Sequence, residues 1–198
     1  MEVDEEEDDT TKAPKTKDEA SNEEDDTKEE EDNKEDTPEA QGKDLIVNGD
    51  FEDGLSNWYM NKGSFEIDST NVYSGRNSVL LTDRSSTWNG VEQTIDAGKV
   101  KQGAKYHVSC YAKIKGDVES DHIKVTFRIT DNNEKRHYLP GEHNGHEHGI
   151  INNSTWTYFE GYATIDVPGE IASAMLYVEG PGGGVEYWVD DVSAVEVE

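Results

Sequence analysis

The sequence predicts an all-β domain, a sandwich of two sheets, preceded by a disordered acidic segment. Short runs of alternating apolar and polar residues recur after residue 45, separated by turns rich in Gly, Asn, Asp, Ser and Pro. No stretch shows a competing helical periodicity. Many short strands within one domain of this size favour two packed sheets, of which one outer face is free to form a groove.

The acidic residues are concentrated at the N-terminus. Of 198 residues, 45 are acidic and 18 basic, and residues 1–44 contain 21 of the acidic and 6 of the basic ones. That segment has no aromatic residue, so it cannot bury enough apolar surface to offset its ordering entropy. We expect a disordered linker or tail over residues 1–44 and one folded module over residues 45–198.

Composition also bears on partners and compartment. The acidity argues against nucleic acid, because phosphate binding needs clustered Lys and Arg. No apolar run is long enough for a membrane helix, and the start MEVDEEEDD does not resemble a signal peptide. The chain is therefore either cytosolic or a piece of a longer secreted protein. The single cysteine, Cys110, alternates with apolar residues in YHVSCYAKI, which predicts a buried strand thiol and excludes an internal disulfide.

Two segments show the strand alternation most clearly. In HIKVTFRIT the apolar residues Ile123, Val125, Phe127 and Ile129 share one face. In AMLYVEG the inward residues are Leu176 and Val178, and the outward ones are Met175, Tyr177 and Glu179. Similar runs occur at SFEID, NSVLLT, GVEQTID, TWTYFEGYATI and VEYWVDDVSAVEV.

Outward aromatic and acidic side chains are the candidates for function. Tyr177 and Glu179 project side by side, and such a pair suits a sugar, whose C–H face stacks on the ring while its hydroxyls donate to the carboxylate. An ordinary solvated sheet face is the alternative. Trp88 lies among turn formers in SSTWNG, so its indole either folds back onto the core or meets a ligand with a flat apolar face.

Four stretches resemble the carbohydrate-binding modules of family 22, which are related to families 4 and 9 and accompany xylanases. They are LIVNGDFEDGLSNW, YSGRNSVLLTDRSSTWNGVEQTI, STWTYFEGYATI and YVEGPGGGVEYWVDDVSAVEV. The resemblance implies a β-sandwich jelly roll of the galactose-binding type, with a concave cleft for a single chain of xylan or of mixed-linkage β-glucan. It implies no catalysis, and an extracellular, monomeric module that is covalently linked to a glycoside hydrolase and has neither membrane nor nucleic-acid partners.

The same resemblance assigns residues to the sugar site and to a structural calcium ion. The sugar-binding positions fall on Trp88, Tyr138, Tyr177 and Glu179, and Lys62 stands where the family usually has an arginine. A lysine keeps the charge but lacks the planar fork of donors. The calcium ligands fall on Glu52 and on one aspartate of VDDV, for which we choose Asp190 over Asp191. Backbone carbonyl ligands are expected near Asp50, Ser74 and Asn77.

The stretch HYLPGEHNGHEHG departs from the family pattern. It gathers His137, His143, His146 and His148 with two glutamates in a glycine-rich loop, a composition that is able to bind zinc or nickel. A flexible loop seldom preorganises a metal, so we favour a loop without one. Because the stretch contains Tyr138, its histidines are also placed to touch a glycan.

Two other functions are compatible with parts of the sequence. A small glycosidase would need two carboxylates flanking the scissile bond, and only Glu179 is a convincing candidate. An acidic tail on a β-domain is also found in proteins that bind basic partners such as histones. That alternative leaves the TWNG and YVEG matches unexplained.

Overall fold

The computed structural model describes residues 42–197, which form eleven β-strands and a single 3-10 turn at Ala97–Lys99. The strands are β1 (Tyr59–Met60), β2 (Ser64–Asp68), β3 (Ser78–Thr82), β4 (Val91–Ile95), β5 (Lys105–Lys115), β6 (Ser120–Asp131), β7 (Arg136–Pro140), β8 (Gly149–Asn152), β9 (Thr157–Thr164), β10 (Ile171–Glu179) and β11 (Glu186–Val197). Residues 1–41, most of the predicted acidic linker, lie outside the described part.

The strands form two antiparallel sheets, which confirms the predicted β-sandwich. The first, called here the groove sheet, has the order β1-β4-β10-β6-β7, and β8 pairs with the other end of β6. The second, called the back sheet, has the order β2-β3-β11-β5-β9. In both sheets most neighbouring strands are distant in sequence, and β2–β3 and β6–β7 are the consecutive pairs. Such a mixture is typical of a jelly roll.

The predicted inward residues fill the core between the sheets. All four apolar residues of HIKVTFRIT are at most 1% exposed, and Leu176 and Val178 are fully buried. Cys110 is also fully buried, and burial raises the pKa of its thiol to about 12. The prediction of a structural strand thiol is therefore confirmed, since a protonated, inaccessible thiol is a poor nucleophile.

Strand β11 carries a bulge at the two aspartates of VDDV. Its register against β5 shifts between Asp190 and Ser193, and Asp191 adopts a left-handed backbone with φ 46°. Alternation along the sequence therefore fails to assign the two carboxylates to faces, because a bulge adds one residue to the strand. The structure buries Asp190 completely and leaves Asp191 partly exposed.

Asp44 is hydrogen-bonded to the β-sandwich. The Oδ1 atom of Asp44 accepts hydrogen bonds from the N–H groups of Ile46 and Ala194, at 2.8 Å and 3.0 Å. These contacts join the start of the domain to the last strand. Within residues 42–197 there is no helix with the length and apolarity needed to cross a membrane.

Candidate functional site

The outer face of the groove sheet places polar and aromatic side chains in rows across neighbouring strands. In one row Tyr177 of β10 pairs with Glu92 of β4 on one side and with Thr126 of β6 on the other. In the next outward row Arg128 of β6 pairs with Met175 and with Tyr138 of β7. Alternation puts all of these side chains on the face away from the core.

These rows form the floor of a groove of about 290 Å³. It is lined by Asn61, Trp88, Glu92, Thr126, Arg128, Arg136, Tyr138, Tyr177 and Glu179. The resemblance assigned four residues from three parts of the chain to the sugar site, and all of them lie in this groove: Trp88, Tyr138, Tyr177 and Glu179. Their part in binding sugar stays a prediction.

Trp88 lies at the β4 edge of the groove, in the turn that precedes this strand. The side chain is 50% exposed, so it does not fold back onto the core. The ammonium of Lys62 lies 5.5 Å from the centroid of the indole ring, within the range of a cation–π contact. Lys62 thus contacts the tryptophan at the groove edge, although it does not itself line the floor.

A buried arginine holds the turn that carries Trp88. Arg84 is 4% exposed, and its guanidinium donates hydrogen bonds to five backbone carbonyls. The acceptors are Ser86, Thr87, Asn89, Pro181 and Val185. Arg84 therefore ties the Trp88 turn to the loop between β10 and β11. The composition of DRSSTWNG predicts an exposed turn, and it does not indicate that Arg84 is buried and holds this turn in place.

Tyr138 lies on the opposite side of the groove, on β7, and is 60% exposed. Strands β10 and β6 separate β7 from β4, so the groove spans three inter-strand spacings, roughly 14 Å. Two exposed aromatic rings therefore flank a polar floor. This width leaves room for a short run of sugar rings between them.

On the floor, Glu179 is held by two residues of β6. Its Oε2 atom accepts a hydrogen bond of 2.7 Å from the Thr126 hydroxyl and lies 3.4 Å from the Lys124 ammonium. The carboxylate remains partly exposed, with a side-chain accessibility of 20%. Because its other oxygen makes no hydrogen bond with the described residues, it remains available to accept from a ligand hydroxyl.

Tyr177 lies between groups of opposite charge. Burial, followed by the nearby Glu92 carboxylate, raises the pKa of Tyr177 to about 12, and the Arg128 guanidinium 5.3 Å from the ring opposes that shift. The phenol is therefore neutral at physiological pH. It keeps its proton and can donate a hydrogen bond.

The groove also contains five residues that were not predicted to line it, namely Asn61, Glu92, Thr126, Arg128 and Arg136. The alternation of HIKVTFRIT already placed Thr126 and Arg128 on an outward face. Which outward residues share a groove depends on strand pairing, and the sequence of one strand does not specify its neighbours.

The residues predicted to bind calcium surround the segment 73–77. Glu52 accepts hydrogen bonds from the N–H groups of Arg76 and Asn77 and from the Arg76 side chain. Asp190 accepts from the N–H groups of Tyr73, Ser74 and Asp191. The structure therefore brings both predicted carboxylates to one segment, but among residues 42–197 no three His, Cys, Asp or Glu side chains converge as a metal site.

The histidines of HYLPGEHNGHEHG have separate partners. His137 lies on β7 and is bonded to Asp131 at 2.9 Å, whereas the His143 ring lies 3.8 Å from Glu160. His148 packs edge-on against His122, with 4.4 Å between the ring centroids. His143, His146 and His148 nevertheless line one pocket together with Glu160. The interpretation of a loop without a metal stays a prediction.

A β-sandwich whose outer sheet face presents two exposed aromatic rings, a neutral tyrosine and a free carboxylate oxygen has the features of a sugar-binding domain. The comparison with known families agrees with this class. Residues 43–187 match the carbohydrate binding domain family CBM_4_9. The chain belongs to this family, and it is a binding domain rather than an enzyme.

The chain is also similar to segments of individual enzymes. Exoglucanase XynX of Acetivibrio thermocellus is 27% identical over 152 residues, which are 75% of this chain and 13% of that protein. Endo-1,4-beta-xylanase 3 of Arabidopsis thaliana is 29% identical over 161 residues, 75% of this chain and 20% of that protein. The chain thus spans a small part of these curated relatives.

Solved structures confirm the predicted fold. The CBM22-1 xylan-binding domain from Paenibacillus barcinonensis Xyn10C superposes with a TM-score of 0.67 at 20% identity, covering 81% of this chain and 98% of that domain. A family 22 module of Clostridium thermocellum Xyn10B gives a TM-score of 0.63 at 16% identity, covering 77% of this chain and 97% of that module. The resemblance to family 22, drawn from sequence motifs, is confirmed at the level of the fold.

Proposed function

We propose that this domain binds a single chain of xylan in the groove between Trp88 and Tyr138. The observation that carries the proposal is the convergence of Trp88, Tyr138, Tyr177 and Glu179, which come from three separate segments, on one groove. The relatives that bear this domain include xylanases, and the similar solved domains include xylan-binding ones, which supports xylan as the polysaccharide.

In the proposed complex, each class of side chain has one task. The exposed rings of Trp88 and Tyr138 stack on the apolar C–H faces of sugar rings. Glu179 accepts a hydrogen bond from a sugar hydroxyl, and because the acceptor is charged this bond is stronger than one between neutral groups. Tyr177 donates through its neutral phenol. Because xylose has no group beyond its ring hydroxyls, recognition depends on the spacing of rings and hydroxyls.

We further infer that the domain acts as an extracellular, monomeric targeting module. It would hold an attached glycoside hydrolase close to plant cell-wall polysaccharide and so raise the local substrate concentration. The support is that the chain matches only 13% and 20% of the length of two enzymes that contain a similar segment. A module of this kind accelerates hydrolysis through effective concentration, without a catalytic group of its own.

Affinity electrophoresis tests the function directly. We expect gels containing xylan to retard the protein. Trp88→Ala should abolish that retardation, and Tyr177→Ala and Glu179→Ala should each weaken it. Glu142→Ala, an exposed acidic residue outside the groove, serves as the matched control and should migrate like the parent. Gels with mixed-linkage β-glucan establish which polysaccharide is preferred. Migration unaffected by xylan would refute the proposal.

Catalysis is checked on the same proteins with an assay for reducing sugar. The groove holds a second carboxylate, Glu92, so two acidic residues face it. A glycosidase would need such a pair on either side of the scissile bond. We expect no reducing sugar to be released from xylan by the parent or by any variant. Release that Glu92→Gln abolishes would show an enzyme instead.

We also propose a structural calcium ion beside Glu52 and Asp190, with backbone carbonyls near Asp50, Ser74 and Asn77 as further ligands. The support is the chemistry of the donors. An ionised carboxylate has about four acceptor positions, and each of these two accepts three hydrogen bonds, which leaves room for one cation contact. Burial raises the pKa of Asp190 to about 6, and a bound cation would favour its ionised form.

A further inference from the structure

We propose that Arg128 and Arg136 bind a carboxylate on the sugar chain, so that the groove prefers xylan that carries a uronic acid. This inference rests on the proposed function and names a class of ligand within it. The two arginines line the same groove. They would determine specificity, while the aromatic rings and Glu179 would bind the neutral backbone.

The four arginines of the chain divide into two pairs. Arg84 is buried against backbone carbonyls, and Arg76 forms an ion pair with Glu52 at 3.0 Å. Both have structural partners. The other two, Arg128 and Arg136, line the groove, and within residues 42–197 neither forms a salt bridge with a carboxylate.

An unpaired arginine is unexpected on so acidic a chain, whose formal net charge is −27. Several lysines of the same domain do have acidic partners: Lys101 pairs with Glu196, Lys115 with Glu186 and Lys124 with Glu179. The guanidinium groups of Arg128 and Arg136 lack an acidic partner, so they form a local positive region in the groove.

The geometry brings these two cations together. Arg128 of β6 lies directly opposite Tyr138 of β7, and Arg136 is two residues before Tyr138 on the same face. Arg128 and Arg136 are thus diagonal neighbours across two strands, with backbones roughly 7–8 Å apart. At that separation two long side chains can both reach a single carboxylate that lies beside the Tyr138 ring.

The donors of Arg128 are largely unused. Its only side-chain hydrogen bond within the described residues goes from Nη2 to the thioether of Met175, a weak acceptor. Its Nε atom is buried and has no hydrogen-bond partner among residues 42–197. The guanidinium also lies 5.3 Å from the centroid of the Tyr177 ring. Because none of these partners is charged, the group can turn toward a ligand, and it offers the planar fork that matches a carboxylate.

The rest of the groove limits what the anion can be. Glu92 and Glu179 line it on the side of β4 and of the end of β10, away from Arg136. A polyanion with a charge on every unit, such as a nucleic acid or a polyuronide, would place negative charges beside these carboxylates. A neutral sugar chain with one acidic branch near Tyr138 avoids that repulsion.

Calorimetric titration of the full chain tests the inference with three matched ligands. They are a neutral xylo-oligosaccharide, the same oligosaccharide with one glucuronic acid, and the methyl ester of that acid. We expect the acidic ligand to bind about tenfold more tightly than its ester, equivalent to ~1.4 kcal/mol. Raising the salt concentration should reduce the difference, because salt screens exposed charges.

Single substitutions test whether the preference for the acidic ligand over its ester depends on the two arginines. Arg136→Gln and Arg128→Gln should each lower it, whereas Lys135→Gln, which removes the same charge outside the groove, should keep it. Arg136 and Lys135 are both exposed, so this pair decides the outcome even if Arg128→Gln fails to fold.

The possible results separate the two proposals. Equal binding of the acid and its ester, with the neutral ligand also bound, would overturn the role of the arginines and leave xylan binding intact. A preference for the acid that survives in Arg136→Gln would also overturn it. Failure of all three ligands to bind would refute xylan binding, and the inference with it.

Discussion

The Thr126 hydroxyl donates a hydrogen bond of 2.7 Å to the Glu179 carboxylate across strands β6 and β10. Thr126 is only 3% exposed, so its hydroxyl is shielded from water, and the bond fixes one carboxylate oxygen. Lys124, at 3.4 Å, approaches the same oxygen. Glu179 is thereby oriented with its second oxygen free before any ligand arrives.

Removal of that donor should weaken sugar binding without removing the carboxylate. Thr126→Val is nearly isosteric and leaves Glu179 free to rotate, so we expect a loss of affinity of about 1 kcal/mol, the usual worth of one hydrogen bond. Glu179→Ala should cost more. Titration with xylo-oligosaccharides measures both. Thr130→Val, on the same strand and face but outside the groove, is the control, and an equal loss there would contradict the orienting role.

Two tryptophans allow exposure and burial to be compared within one chain. Trp88 is 50% exposed, whereas Trp58 is 3% exposed and donates from its indole to the Asn48 carbonyl. Trp88→Ala should change the free energy of unfolding by no more than about 0.5 kcal/mol and abolish retardation by xylan. Trp58→Ala should lower the free energy of unfolding by about 3–5 kcal/mol. Urea unfolding measures both. A strongly destabilised Trp88→Ala, or one still retarded like the parent, would show that the ring is not a sugar-stacking surface.

Calcium removal should lower stability and leave sugar binding at room temperature unchanged. A metal that binds only the folded form stabilises it by about 2.7 kcal/mol when its concentration is 100 times its Kd. A chelator should therefore lower the melting temperature of the parent and of Trp88→Ala alike. Glu52→Gln and Asp190→Asn should no longer respond to the chelator. If the parent melts identically with and without it, no calcium site exists.

Acid should weaken the hairpin between β6 and β7 through Asp131. The hydrogen bond from His137, followed by those from the backbone N–H groups of Lys135 and Asn133, lowers the pKa of the Asp131 carboxyl. A lowered pKa in the folded state gives stability that is present above the unfolded pKa of about 3.9 and is lost as the pH falls through the folded value.

Asp131→Asn should therefore lose less stability than the parent between pH 7 and pH 3, as measured by urea unfolding. Asp117→Asn, which removes an exposed carboxylate, is the control and should follow the parent. Identical pH dependence of Asp131→Asn and the parent would show that the contact with His137 does not favour the ionised form.

Local alternation predicted most of the fold. Ile123 to Ile129 and Leu176 to Val178 point into the core as expected, because a strand with one buried face must repeat every second residue. Strands β7 and β8 were not predicted. They flank a loop of glycine, histidine and glutamate, whose composition does not predict strands. They pair with different ends of β6, and this pairing is non-local, so the composition of one segment does not encode it.

The candidate site was predictable only in part, and for the same reason. The motifs TWNG and YVEG indicated Trp88, Tyr177 and Glu179. Arg128 and Arg136 are neighbours because of the register between β6 and β7, and their spacing along the chain does not indicate this proximity. The bulge at Asp190 likewise interrupts the alternation of β11, so the sequence does not show which of Asp190 and Asp191 points into the core.

The five carbonyl acceptors of Arg84 have a thermodynamic consequence for ligand capture. A loop that is loose in the free protein loses conformational entropy on binding, and that loss subtracts from the affinity. Here the turn around Trp88 is ordered when the domain folds, so the entropy is lost at that stage and not when a sugar arrives. Binding then requires little rearrangement of the protein, which favours rapid association and lets the domain release and rebind along a polysaccharide.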